Sequence, residues 1–98
     1  MTASTTDTAP LLIGGELRPA SGGATFDVLN PATEELIGRA ADGTAADMDA
    51  AIAAAREAFD TTSWSTDHAF RASCLRQLRD ALQSHTEELR ALTIAEVG

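Results

Sequence analysis

A chain of 98 residues is one small domain at most, or part of one. Its 44% apolar content argues against wholesale disorder, while aromatics at 4%, with no Tyr, leave an aliphatic, alanine-rich core and no platform for stacking bases. Seven Arg, no Lys and fifteen acids give a formal net charge of -8, a field that repels a nucleic-acid backbone and an anionic membrane surface alike.

Met1 to Pro10 is rich in Ser, Thr, Asp and Ala with nothing to bury, and reads as a disordered tail over residues 1–10. It has no positive charge ahead of an apolar core, so it does not read as a secretory leader. Order is expected from Leu11. Leu11-Leu12-Ile13 and Glu16-Leu17-Arg18 flank Gly14-Gly15, the positive-φ pair of a two-residue hairpin. Pro19 ends the second strand because it has no N–H for the ladder. Ser21-Gly22-Gly23 makes a further turn, and Thr25 to Leu29 alternates with Phe26 and Val28 on the buried face. In Asn30-Pro31-Ala32-Thr33 the Asn side chain can bond the backbone two residues on, and Leu36 to Ala40 is the return strand. The first half is therefore antiparallel and built of hairpins.

The period then changes. Thr44 and Asp47 have capping-box spacing, and Met48, Ile52, Ala55 and Phe59 follow as one stripe, widened by Ala51 and Ala58. A helix is expected over about Ala45 to Phe59, its alanines leaving a flat face that a neighbour can approach closely. Thr61 to Ser65 breaks the pattern around Trp64. Ser65 or Thr66 caps a second helix in which Asp67 and Arg71 stand at i, i+4, with Cys74, Leu75, Leu78, Ala81 and Leu82 as its apolar stripe. A break near Ser84-His85-Thr86, where Ser84 and Glu87 again have capping-box spacing, leads to a third helix through Leu89, Leu92 and Ala95. Leaving Leu75, Leu78 and Leu82 in water forgoes about 5–9 kcal/mol, at about 1.5–3 each. Two short hairpins do not cover that much surface, and the expectation is of a chain that continues past Gly98 into the body that does.

Residue chemistry alone points to no active site. Cys74 is the single thiol, too few to staple the chain and in keeping with a reducing, cytoplasmic setting. Arg71 and His68 fall one and two turns before it, a placement that favours a thiolate, but no His–Asp or His–Asn partner accompanies it. A small buried hydrophobe is the better reading. His68 and His85 have no ligand spacing, so a metal site is not expected. Glu34-Glu35 in a turn and Glu87-Glu88 in a first helical turn read as solvated carboxylates. Gly14-Gly15 and Gly22-Gly23 lie between strands, whereas a dinucleotide loop needs G-x-G-x-x-G between strand and helix. Trp64 reads as a plug between helices rather than a ligand contact.

The order of the signals is more specific than any one of them. LLIGGEL, TFDVLNPATEELIGRA, AADMDAAIAAAREAF, Trp64, and Arg71 with Leu75 and Leu78 together resemble the amino-terminal segment of the aldehyde dehydrogenase superfamily, over about Leu11 to Gly98. Two positions depart from the family's habit. Glu34 stands where Gly is common, so the turn after Asn30-Pro31 can differ in φ, and Leu17 stands where an aromatic is common.

The resemblance implies an α/β parent fold with a Rossmann-type coenzyme domain. In this segment, antiparallel hairpins would be followed by two to three amphipathic helices, with residues 11–98 an incomplete part of that domain. It further implies a longer, homo-oligomeric enzyme that oxidises a small aldehyde to a carboxylic acid with NAD or NADP. The family's nucleophilic cysteine, its water-activating glutamate and its coenzyme-binding residues would all lie beyond Gly98. On that reading, this segment holds no catalytic, cofactor-binding or metal-binding residue, Cys74 inherits no role, and its partner is the remainder of its own domain. The alternative is a small acidic interaction module whose Leu75/Leu78/Leu82 stripe lies in a partner's groove.

Overall fold

The computed structural model describes residues 8–98, which form five strands and three helices around very little core. β2 (Leu11–Ile13) and β3 (Glu16–Arg18) pair antiparallel, with Ile13 opposite Glu16, so Gly14-Gly15 is the whole connection. Both glycines are left-handed, at φ 61° and 81°, the mirror-image turn whose twist matches its strands.

A second sheet has the order β1–β5–β4. β4 (Thr25–Leu29) runs antiparallel to β5 (Leu36–Ala41), and Arg39 lies directly across from Asp27 and binds it at 3.1 Å. β1 (Thr8–Ala9) adds to the other edge of β5 in parallel, with Thr8 opposite Arg39. Thr8 and Ala9 thus leave the expected tail, whose residues 1–7 lie outside the described residues. The open edge of β5 supplies their hydrogen-bond partners, and composition holds no sign of it. Phe26 also differs from expectation, at 52% exposed, because no described layer covers its end of β4.

The β4–β5 turn is held by Asn30, whose Oδ1 accepts from the N–H of Ala32 at 2.9 Å and of Thr33 at 3.3 Å. Glu34 closes it at φ 62°, the left-handed conformation that its Cβ disfavours. The residue that replaces the family's glycine thus sits in a backbone conformation that glycine favours, and the strain lies in the backbone. The last turn of α3 lies against the same loop. A Cβ at Gly98 would stand 2.9 Å from Pro31 Cγ.

α1 (Ala45–Thr61) starts at the expected capping box, with Thr44 Oγ1 accepting from Asp47 N at 3.2 Å. Its covered side, however, is the alanine edge through Ala51 and Ala54, where the β2–β3 hairpin comes close enough for Gly14 to face Ala54. Met48, Ile52 and Phe59, expected in the buried stripe, are exposed. Small residues admit the hairpin backbone and bulky ones hold it off, so the short hairpin chooses the flat edge.

A 3₁₀ turn (Ser63–Ser65) then leads into α2 (His68–Ser84), which is capped by Asp67 rather than Ser65 or Thr66. Asp67 Oδ1 accepts from Phe70 N at 2.9 Å. With its carboxylate so used, the expected Asp67–Arg71 pair does not form, and Arg71 bonds His68 Nδ1 instead. The break before α3 (Thr86–Val97) falls at His85 as expected, but without the Ser84–Glu87 capping box. Ser84 is the last residue of α2 and its hydroxyl turns back to Ala81 O at 2.8 Å, leaving Glu87 to pair with Arg90 at 2.6 Å.

Candidate functional site

Among the described residues, Ala20 and Ala41 are the buried apolar side chains and Asp47 is the buried charged one, at 3% exposed. Asp47 occupies the third position of α1. Its Oδ2 accepts from Thr44 N at 2.9 Å, Thr44 Oγ1 at 3.0 Å and Ser21 N at 3.0 Å, and its Oδ1 from Ser21 Oγ at 2.7 Å. Arg18 Nη2 stands 4.0 Å away. The Thr44 N–H foremost, then the Ser21 hydroxyl and N–H, hold this carboxyl far below the usual carboxylate range, against the opposing push of burial. Such a group has little affinity for a proton and already accepts four hydrogen bonds, so it suits fastening rather than general base work. It joins the β3–β4 turn to the start of α1. The sequence disclosed the capping half of this arrangement, while Ser21, 26 residues away, gave no signal.

The residues weighed from sequence are scattered rather than gathered. Cys74 is half-buried and unpaired, and His68 and Arg71 bond one another rather than it. Trp64 meets Phe70 edge to face, ring centroids 6.0 Å apart, and at 38% exposed it braces the α1–α2 joint without being buried in it. Glu34 holds a strained turn, Glu87 pairs with Arg90, and Glu88 faces His85 at 3.4 Å. No group of three or more metal-ligating side chains comes together among the described residues.

Two of the open grooves among the described residues are lined mainly by aliphatic groups. One, of about 240 Å³, runs between β2 and the start of α1 past Leu11, Ile13 and Met48. The other, of about 250 Å³, lies between α3 and the three-stranded sheet, bounded by Pro10, Val28, Ile37 and Leu92. Neither gathers a reactive set.

The helix starts, too, are occupied by the chain's own groups. A pyrophosphate needs a helix N-terminus with free N–H groups and room for negative charge. Here Asp47 stands in the first turn of α1, Asp67 caps α2, and α3 carries Glu87 and Glu88 in its first turn. Each start already holds the chain's own carboxylate. Both glycine pairs sit between strands, and neither leads directly into a helix.

Comparison with known proteins gives this framework its context. The sequence pattern of the aldehyde dehydrogenase family matches residues 18–98. The mitochondrial aldehyde dehydrogenase of Leishmania tarentolae is 40% identical over 88 residues, 90% of this chain but 18% of that protein. The NADP/NAD-dependent aldehyde dehydrogenase PuuC of Escherichia coli is 35% identical, again across 90% of this chain and 18% of its own length. Among solved structures, the NAD+ complex of the Bacillus cereus aldehyde dehydrogenase superposes with a TM-score of 0.82 at 38% identity, over 88% of this chain and 18% of that one. The NAD-dependent enzyme of Sinorhizobium meliloti superposes with a TM-score of 0.87 at 30% identity, over 95% and 19%. This chain thus spans less than a fifth of the relatives it matches, corresponding to their amino-terminal part. Sequence pattern, strand and helix order and superposition agree: the chain belongs to the aldehyde dehydrogenase family.

Proposed function

We propose that these residues are the scaffold at the start of an NAD(P)-dependent enzyme that oxidises a small aldehyde to its carboxylic acid, and are inert by themselves. The observation that carries this is the mismatch between order and burial. The helices are regular, yet Leu75, Leu78 and Leu82 on α2 and Ile94 on α3 are all at least half exposed. A radius of gyration of 16.5 Å, against about 13 Å for a compact chain of this length, states the same thing in shape. Apolar surface on that scale is stable in water only when something covers it. The remainder of an aldehyde dehydrogenase domain, to which the family match points, is that cover.

On this reading, the coenzyme, the nucleophile and the hydrolytic base belong to the rest of the parent enzyme. This segment contributes neither catalytic nor coenzyme-binding nor metal-binding groups. Assembly of the parent into a homo-oligomer and a cytoplasmic setting are part of the same proposal. No helix among the described residues is long and apolar enough to cross a membrane.

The test is aldehyde-dependent reduction of NAD+ and NADP+ by the purified chain, followed by absorbance across several aliphatic and aromatic aldehydes. No turnover is expected. Turnover above the buffer blank, abolished by Cys74→Ser, would show that the chain carries its own active site and would overturn the scaffold reading.

A further inference from the structure

Asp42-Gly43 is the one Asp-Gly step in the sequence, and it forms the whole link between the end of β5 at Ala41 and the α1 cap at Thr44. Both residues are exposed. The Asp42 N–H donates to Ala24 O at 2.8 Å, which holds its backbone to the sheet, while its carboxylate has no partner among the described residues. The Gly43 N–H likewise makes no hydrogen bond there. Nothing in the fold calls for glycine at this position. Gly43 is not left-handed, and a Cβ on it would meet Leu11 Cδ1 at an ordinary 3.8 Å.

We propose that the Asp42–Gly43 junction is a site of spontaneous backbone isomerisation, and that its product unfastens the start of α1. The Gly43 amide nitrogen gives up its proton and bonds to Asp42 Cγ, and one carboxyl oxygen leaves as water, closing a five-membered succinimide. Water then adds back. Cleavage between the nitrogen and Cγ restores aspartate, whereas cleavage between the nitrogen and the main-chain carbonyl carbon leaves the chain running through Cγ as isoaspartate. The water lost is regained, mass is unchanged and no redox partner is needed. Exposure leaves the carboxyl open to solvent, an unbonded N–H leaves the nucleophile free, and the absent Cβ removes the usual steric shield.

The product carries one extra main-chain carbon in a two-residue link. On one side of that link, Ala41 is fixed opposite Thr25 in the sheet. On the other, Thr44 and Asp47 are fixed to each other and to Ser21. Lengthening the link pulls these two registers apart, and the capping box yields because it is the smaller of the two.

The experiment incubates the purified chain and a peptide of residues 38–48 in mildly acidic buffer at physiological temperature. Isoaspartate is located by enzymatic methyl labelling and electron-transfer fragmentation. Formation at Asp42 in the intact chain is expected within about threefold of the peptide rate, as for backbone without local protection. Asp42→Glu and Gly43→Ala should each suppress it, and the second variant should keep the helical spectrum because its added methyl meets only ordinary contacts. Aged chain should exchange its amides at residues 45–48 faster than fresh chain, while those of α2 are unchanged. Isomerisation slowed tenfold or more relative to the peptide would overturn the site. Ageing without faster exchange in α1, or α1 amides unprotected from the outset, would overturn the unfastening.

Discussion

The two halves of the molecule are held in opposite ways. Where the hairpins meet α1, the joint is polar and complete: one buried carboxylate gathers donors from Ser21 and Thr44, with Arg18 nearby. Along α2 and α3 the elements are regular, but their ion pairs are exposed and local, such as Arg79–Asp80 and Arg90–Glu87, and their apolar stripes face outward. Exposed pairs of that kind contribute little. The contrast teaches that the first half carries its own specificity, whereas the second half carries regular shape and apolar surface that nothing among the described residues covers.

The comparison is broken most severely at Asp47. Asp47→Ala strands the N–H groups of Ser21 and Thr44 and uncaps α1, so it should give the largest fall in urea midpoint and the fastest amide exchange at residues 44–48. Acid makes the same cut. The Asp47 carboxyl is depressed in the folded chain, so the stability it contributes is present above the unfolded carboxyl's value of about 4 and drains away as pH falls below that. A melting-temperature series against pH should show this acid limb, and Asp47→Asn should flatten it.

Thr44→Ala removes the hydroxyl that accepts from Asp47 N but leaves the backbone bonds in place, so a loss of about 1 kcal/mol by chemical denaturation is expected. Glu34→Gly works in the other direction. It releases a left-handed residue from steric strain and should stabilise by about 0.5–1 kcal/mol, the relief being offset in part by the flexibility of glycine in the unfolded chain. No increase in melting temperature would show that the β4–β5 turn carries no such strain.

The smallest effect sharpens the contrast from the other side. Leu75→Ser and Leu78→Ser, at side chains 63% and 54% exposed, should change the stability of this chain by about 0.5 kcal/mol or less. The same pair should reduce binding of a hydrophobic dye. In the corresponding segment of a full-length relative, trimming these leucines to Ala should instead cost about 2–5 kcal/mol each, the usual range for a packed core position. Equal effects in both settings would remove the case for a missing cover.

Much of the first half was legible because local rules govern it. Gly14-Gly15 sets a hairpin register, Asn30 builds its own turn, and Thr44 with Asp47 starts a helix, each within a few residues of chain. Expectation failed wherever two local options competed. Asp67 had to choose between capping α2 and pairing with Arg71, and Ser84 between closing α2 and opening α3. In both cases the nearer backbone group prevailed, since a short side chain reaches it with less loss of freedom.

From Leu11 onward, neighbouring residues were enough to set the order and kind of the strands and helices and the family they belong to, because periodicity and turn chemistry are local. Packing in three dimensions settled which edge of α1 the hairpin covers, that Thr8–Ala9 join β5, and that Ser21 completes the Asp47 fastener. Those outcomes depend on groups brought together from distant parts of the chain, where sterics and hydrogen-bond supply act through space and leave no local pattern to read.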